Sequence, residues 1–136
     1  PSGSLGEKLK TAEDLMLTRE KIPFINENKL MTKALKIMTE KKLGTLIVRN
    51  RKRHTTGIIT DGQIRRFNSK NINLNFLKVK DVMTKNPIKI DKNTLATKAL
   101  AIMNEKKITS LCVYEKKKNF TIGILHIHNI LNKKIY

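Results

Sequence analysis

Aromatic residues are rare in this sequence, which contains no tryptophan, two tyrosines and four phenylalanines among 136 residues. Proteins that bind single-stranded nucleic acid usually stack the bases on aromatic side chains. Basic residues, by contrast, outnumber acidic ones by 29 to 11, and the formal net charge is +18. The lysines and arginines are spread along the whole chain rather than gathered in one run. We therefore predict a basic surface that attracts small anionic ligands, and we keep charge-driven nucleic-acid binding as an alternative.

Cysteines, long apolar runs and catalytic motifs are also scarce. Cys112 is the single cysteine, which excludes an intrachain disulfide and favours a reducing, cytoplasmic compartment. The apolar runs are far shorter than the roughly 20 residues that a membrane-spanning helix needs, and no signal-peptide pattern is present. The sequence contains no phosphate-binding glycine loop, no Ser-His-Asp set and no CxxC motif. We predict no membrane association, no catalytic residue and no required cofactor.

The sequence does contain an internal repeat. Residues 32–42 read TKALKIMTEKK, and residues 97–107 read TKALAIMNEKK, 65 positions further along the chain. In both copies the apolar residues recur at helical spacing, which predicts an amphipathic helix. Asn28 and Asn93 precede the two helices and suit N-cap positions. The predicted apolar faces consist of Leu30, Ala34, Leu35 and Met38 in the first copy, and of Leu95, Ala99, Leu100 and Met103 in the second.

The similarity between the two copies extends beyond this helix. Short branched-apolar runs, TLIV (45–48) and SLCV (110–113), predict buried strands. A second strand follows in each copy, TGIIT (56–60) and IGILH (122–126), and then a short helix, roughly 61–67 and 127–132. A short extended piece precedes each first helix, IPFI (22–25) and PIKI (87–90). Each copy therefore predicts a β-α-β-β-α unit of the α/β class.

Two such units have a physical reason to associate. A unit of about 50–60 residues is near the lower limit for an independent hydrophobic core. We expect the copies to pack through their sheets with pseudo-two-fold symmetry. Such packing would create two equivalent clefts between the halves, where ligands tend to bind.

These patterns carry a resemblance to a known family. The β-α-β-β-α unit, with a Gly-apolar-apolar-Thr strand end opening a short helix, resembles a CBS domain, and the tandem resembles a CBS pair, or Bateman module. GIITDGQIRR (57–66) and GILHIHNIL (123–131) are similar to the CBS region of bacterial arabinose-5-phosphate isomerases. The opening PSGSLGEKL resembles the exit from their sugar-isomerase (SIS) domain. The implied organisation is a tail from an upstream SIS domain (1–11), CBS repeat 1 (12–70), and a linker with CBS repeat 2 (71–136).

The resemblance also implies a function. The family converts ribulose 5-phosphate to arabinose 5-phosphate for synthesis of the lipopolysaccharide sugar Kdo, and its chemistry belongs to the SIS domain. This chain would then be no enzyme itself, but a regulatory module that binds a nucleotide or sugar nucleotide and supports a homodimer within a larger oligomer. The pathway suggests CMP-Kdo as the effector. A structural assembly module with decayed ligand sites is the alternative.

Candidate site residues follow from the same resemblance. In CBS modules a Thr or Ser at the strand end and an Asp three residues later hold a ribose. Here Thr60 is followed by Gln63, and the second copy has His126 and Asn129, so neither copy has the carboxylate. An amide can still bond a hydroxyl, but as a weaker, uncharged acceptor. The predicted ligand-binding residues are Thr45, Thr60, Asp61, Gln63, Arg65 and Arg66 in the first copy, and Pro87, Thr109, His126, His128 and Asn129 in the second.

Several of these residues have simpler interpretations. Asp61 could cap a helix, and Arg65 and Arg66 could be solvated rather than bind a phosphate. His126 and His128 could form a metal pair, since His-x-His side chains can share a face. No third ligand is evident, because Cys112 aligns with an apolar core position of the first copy. We therefore predict hydrogen-bonding histidines and no metal.

Overall fold

The structure is a computed structural model that describes residues 9–135, with side chains as far as residue 131. The segment predicted to leave an SIS domain lies almost entirely outside the described residues. The chain divides into two compact units. We call Glu20–Pro87 the contiguous unit, and residues 9–19 together with 88–135 the split unit.

Both units contain the predicted β-α-β-β-α order, which is therefore confirmed. Short additional helices precede or follow the repeated elements, including 3-10 turns at Arg19–Lys21 and Leu74–Phe76. In chain order the elements are α1 (Ala12–Leu15), β1 (Phe24–Asn26), α2 (Met31–Lys41), β2 (Thr45–Arg49), β3 (Thr55–Thr60), α3 (Asp61–Ser69), α4 (Val79–Val82), β4 (Thr84–Lys85), β5 (Lys89–Asp91), α5 (Ala96–Lys106), β6 (Ser110–Tyr114), β7 (Thr121–His126) and α6 (Ile127–Ile135).

The two sheets have the same topology around a parallel pair and a hairpin. In the contiguous unit the strand order is β1-β2-β3-β4, with β1 parallel to β2 and the other pairs antiparallel. In the split unit the order is β5-β6-β7. The hairpin registers correspond, because Thr45 lies opposite Thr60 and Ser110 lies opposite His126. These two pairs stand where each hairpin runs into its short helix.

Each sheet packs one face against its long helix. In the contiguous unit Met31, Ala34 and Met38 of α2 are buried in one core, and the equivalent residues of α5 are buried in the other. The predicted apolar faces are wrong in one respect: Leu30 and Leu95 are 48% and 42% exposed. Each leucine lies one residue before its helix begins, so its side chain does not share the buried stripe.

The predicted N-caps are also wrong. The cap positions belong to Leu30 and Leu95, and neither makes a side-chain capping bond. Instead the backbone N–H of Met31 donates to the Leu77 carbonyl (2.9 Å), and the N–H of Ala96 donates to the Lys10 carbonyl (2.7 Å). Remote backbone carbonyls thus bind N–H groups that would be orphaned at a helix start. Asn28 lies in a turn before the helix.

These carbonyls come from two segments, each of which precedes one repeat in the sequence but packs on the other repeat. Residues 78–85, just before the second repeat, pack on the contiguous unit, where β4 adds a fourth strand beside β3. Residues 10–17, at the start of the predicted first repeat, pack in the split unit, where Leu17 and Ile124 exchange two backbone hydrogen bonds of 2.9 and 3.0 Å. We call 10–17 and 78–85 the covering segments. Each repeat is completed by residues that precede the other repeat.

Within the described residues, no helix is long and apolar enough to cross a membrane.

Candidate ligand-binding site

In the contiguous unit the candidate site lies where β3 ends and α3 begins. Thr60 is the last residue of the strand and the N-cap of the helix, so the interpretation of Asp61 as the cap is wrong by one residue. The Asp61 N–H donates to the Gly44 carbonyl (3.0 Å). Its carboxylate lies over Gly44, where a Cβ would come within 2.7 Å of Asp61 Oδ2. Gly44 also has φ +70°, so both backbone and space require glycine there.

Gln63 is 6% exposed and directs both ends of its amide into the protein. Its Oε1 accepts hydrogen bonds from the N–H (2.7 Å) and the hydroxyl (3.3 Å) of Thr60. Its Nε2 donates to the Val82 carbonyl (3.2 Å) and to Thr84 Oγ1 (2.6 Å). A carboxylate could not donate these last two bonds. The amide therefore joins the strand end to the covering segment 78–85.

Arg65 and Arg66 are exposed, and both reach back toward the start of α3. Their guanidinium nitrogens lie 3.8 and 3.5 Å from the point where a Cβ of Gly62 would stand. The described ion pairs, all in the split unit, involve neither arginine. Two cations and one carboxylate, that of Asp61, lie at the N-terminus of this helix, and the remaining positive charge together with the helix dipole favours an anion.

The split unit has histidines at the equivalent strand end. Asn129 Oδ1 accepts a hydrogen bond from the His126 N–H (2.8 Å), as Gln63 does from Thr60. The His128 N–H donates to His126 Nδ1 (3.1 Å), so this nitrogen carries no proton. Burial, followed by the nearby His128, lowers the pKa of His126 below its usual value. The two rings meet edge to face with centroids 4.6 Å apart.

The two remaining predicted residues, Thr109 and Pro87, lie directly before β6 and near the start of β5. The exposed Thr109 acts through its backbone, because its carbonyl accepts from the Ile127 N–H at 2.8 Å, as Gly44 does for Asp61. Pro87 is buried just before β5, at the end of the contiguous unit.

Two buried hydroxyls lie at equivalent positions beside the strand ends. Thr45 and Ser110 are 2% and 8% exposed. Among the described residues, theirs are the buried side-chain oxygens without a hydrogen-bond partner. Each is the first residue of its strand and lies opposite the strand-end residue, Thr60 or His126. Ser110 was missing from the predicted set, although the repeat spacing of 65 residues aligns it with Thr45.

No metal centre is evident in the part of the chain that the structure describes, where no group of three or more His, Cys, Asp or Glu residues comes together. Cys112 is buried in β6, and burial raises the pKa of its thiol to about 12. The thiol is therefore protonated near neutral pH and is a poor ligand for a metal.

Comparisons with known proteins bear on both units. The model of the CBS domain matches residues 12–70 and 79–135. An arabinose 5-phosphate isomerase, KdsD of Yersinia pestis, is 36% identical over 132 residues, and an uncharacterised protein of Rickettsia prowazekii, RP505, is 35% identical over 132 residues. These alignments cover 96% and 97% of this chain. The chain spans about 40% of the length of the curated relatives it matches.

Solved structures share the fold. CBSX2 in complex with AMP is similar with a TM-score of 0.81 and 22% identity, over 92% of this chain and 96% of that one. A conserved protein of Pyrococcus horikoshii gives a TM-score of 0.83 and 22% identity, over 95% of both chains. The CBS domain pair of protein MJ0100, in complex with 5'-methylthioadenosine and S-adenosyl-L-methionine, gives 0.80 and 18%, over 91% of this chain and 94% of that one. With two matching domains that together span most of its length, this chain belongs to the CBS domain family and contains a tandem CBS pair.

Proposed function

We propose that this chain is the ligand-sensing CBS pair of a sugar-phosphate isomerase of the arabinose-5-phosphate type. It binds a nucleotide or sugar nucleotide at the strand ends, in the cytoplasm, and supports a homodimer of the enzyme. The 36% identity to such an isomerase supports the choice of parent protein. The catalytic SIS domain would belong to the longer parent protein.

The observation that carries the proposal is the pair of buried, unpartnered hydroxyls of Thr45 and Ser110. A buried hydroxyl without a partner costs about 1–3 kcal/mol, and native proteins rarely leave one at random. These two occupy the same position in both repeats, beside the residues that hold the ligand in the CBS family. A ligand that donates or accepts a hydrogen bond at this position would remove the cost.

The charges at the strand end favour an anionic ligand. Arg65 and Arg66 lie beside the N-terminus of α3, where a phosphate or carboxylate would meet both guanidinium groups and the positive end of the helix dipole. Gln63, however, faces the protein interior and leaves no carboxylate for ribose hydroxyls. This combination favours recognition through acidic groups, and CMP-Kdo carries both a phosphate and a carboxylate. We therefore rank CMP-Kdo above AMP as the effector.

Thermal unfolding with added ligands tests the proposal directly. The panel contains AMP, ATP, CMP, CMP-Kdo and arabinose 5-phosphate at two salt concentrations. A ligand that binds the folded state at 100 times its Kd stabilises it by about 2.7 kcal/mol. We expect a dose-dependent rise of the Tm with CMP-Kdo that persists at high salt and disappears in Thr45→Val and in Arg66→Ala. Lys36→Ala is the control, because it removes the same single positive charge as Arg66→Ala from an exposed position on α2. A flat Tm across the panel would refute ligand sensing.

The inward bonds of Gln63 favour a second candidate, a structural assembly module. If the amide has replaced a ligand-binding carboxylate for the sake of packing, the repeats serve oligomerisation alone. Light scattering on the ligand-free chain separates the two functions. A dimer that neither gains Tm nor changes mass with any member of the panel would support assembly, and a ligand-dependent Tm would exclude it as the only function.

A further inference from the structure

A basic pocket lies at the opposite end of β2 from the candidate site. It is a cavity of about 310 Å³ in the contiguous unit, formed where β1 and β2 end and the β2–β3 hairpin begins. Five basic side chains line it, together with Phe24 and the amides of Asn26 and Asn50. The basic residues are Lys29, Lys33, Arg49, Arg51 and Arg53.

These positive charges are not neutralised within the described residues. None of the five takes part in an ion pair, since the described ion pairs join Lys92 and Lys118 to acidic residues of the split unit. The Arg49 guanidinium lies over the Phe24 ring, 3.9 Å from its centroid. Burial, and then the charge of Arg53, lowers the pKa of Arg49. Cations held together at such a cost attract an anion from solution.

The split unit provides an internal comparison, because it has acidic residues where the pocket has amides. Asn26 and Asn50 of the pocket correspond to Asp91 and Glu115. Glu115 lies 3.0 Å from Lys92 Nζ and 3.2 Å from Lys118 Nζ. The hydrogen bond to Lys92 is the main reason that the pKa of Glu115 is lowered. The repeat thus has acidic residues at these positions in one copy and amides in the other.

The amide of Asn50 also shapes the pocket. Its Oδ1 accepts hydrogen bonds from the N–H groups of Lys52 (2.9 Å) and His54 (3.0 Å), and its backbone carbonyl accepts from the Arg53 N–H (2.9 Å). These bonds fix the hairpin in a conformation in which Arg53 has φ +68°. The hairpin backbone therefore places Arg51 and Arg53 at the rim before any ligand arrives, which reduces the backbone part of the entropic cost of binding.

We propose that this basic pocket binds a small phosphate ester with at least two negative charges, such as a sugar bisphosphate. The volume is at the lower end of the range for small-molecule sites. The charges surround a recess rather than a ridge, which suits a compact ligand better than a polymer backbone. Arginine and lysine together provide bidentate and point-charge contacts to phosphate oxygens. The pocket is separate from the strand-end site and does not depend on the function proposed for that site.

The test is an NMR titration of the 15N-labelled chain in 150 mM NaCl, with pyrophosphate and with fructose 1,6-bisphosphate as probes. We expect saturable shift changes at residues 24–26, 29, 33 and 49–53. Lys33→Ala combined with Arg51→Ala should weaken binding at least tenfold. The matched control, Lys98→Ala with Lys116→Ala, removes the same charges from the equivalent exposed positions of the split unit and should change the Kd less than twofold.

A third variant, Asn50→Asp, copies the acidic character of the split unit. An aspartate keeps the acceptor oxygen for the hairpin bonds, so the fold is retained, while its negative charge should weaken binding more than tenfold. Equal losses in the pocket pair and the control pair would overturn the proposal in favour of unspecific charge attraction. Stronger binding of a short DNA duplex, with shifts spread over both units, would overturn it in favour of nucleic acid. Thr45→Val, which tests the strand-end site, should leave the Kd unchanged.

Discussion

The contiguous and split units have nearly the same backbone and different polar side chains. The hydrogen bonds that start the long helices, Met31 to Leu77 and Ala96 to Lys10, are equivalent, and so are those that start the short helices. The strand-end pairs differ, with Thr60 and Gln63 in one unit and His126 and Asn129 in the other. Backbone hydrogen bonds and apolar burial therefore define the repeat. The polar residues are free to differentiate the two copies.

Both units have a glycine that packs against the adjacent covering segment, and we expect its substitution to lower stability most. A Cβ at Gly57 would lie 2.8 Å from the Thr84 carbonyl oxygen and against the Met83 side chain, so β4 would have to move. We expect Gly57→Ala to destabilise the chain by about 2–3 kcal/mol, as measured by urea unfolding. Gly123→Ala should be similar in kind, because the Leu17 carbonyl lies 3.1 Å from its Cβ position. Gly62→Ala, where the nearest atoms are 3.5–3.8 Å away, is the control and should be nearly neutral.

The next largest change in stability distinguishes the side-chain amides of Gln63 and Asn129. In Gln63→Glu the side chain keeps its shape but loses the donor to Val82 and Thr84 and places a negative charge against a carbonyl. We expect a loss of about 1–3 kcal/mol. Asn129→Asp keeps the acceptor for the His126 N–H and adds a favourable charge near a helix start. Its unfolding midpoint should be unchanged or slightly raised. Equal losses in both variants would contradict the different roles that we assign to the amides.

A third effect distinguishes Cys112 from its counterpart Ile47. The folded-state pKa of the thiol is about 12, against 9.0 for the exposed group, so the unfolded chain releases this proton first. The protonated thiol therefore contributes its full stabilisation of the folded state below pH 9, and this stabilisation is lost as the pH rises toward 12. The slope is about 1.4 kcal/mol per pH unit in that window. Cys112→Val should remove this slope from the difference between unfolding curves at pH 8 and pH 10. An unaltered slope would contradict burial of the thiol.

The smallest effect concerns His126, whose counterpart Thr60 does not titrate. Its pKa is lowered in the folded state, so the unfolded chain binds the proton more readily. Stability should therefore be full above the ordinary histidine pKa of about 6.5 and decline as the pH falls below it. Because the ring is partly exposed, the change should be slight. An NMR titration of the ring protons measures the pKa directly, and His126→Thr should flatten the acid side of the stability profile. A pKa above 6.5 would reverse the sign.

The sequence predicted the elements that depend on local patterns. The repeated helix and the apolar runs TLIV and SLCV indicate burial through their own spacing, and both units contain them. The helix caps could not be predicted in this way, because the partners are carbonyls of Lys10 and Leu77, distant in the chain. The hydrogen bond from Gln63 to the Val82 carbonyl could not be predicted for the same reason, because Val82 lies in the covering segment 78–85. The basic pocket joins three segments of the chain. Its signal in the sequence is that the first copy has two amides and two basic residues, Lys29 and Arg49, at positions that are acidic or uncharged in the second copy.

The exchange of covering segments has a mechanical consequence. The chain at Lys10 is tied to the first N–H of α5, 86 residues away in sequence, and Leu17 is tied to β7. A displacement imposed on the chain before residue 10 therefore acts on the second repeat first, although the first repeat follows it in sequence. Strain produced by a ligand near His126 would travel in the opposite direction through β7 to Leu17. The N-terminal covering segment is thus mechanically coupled to the second repeat.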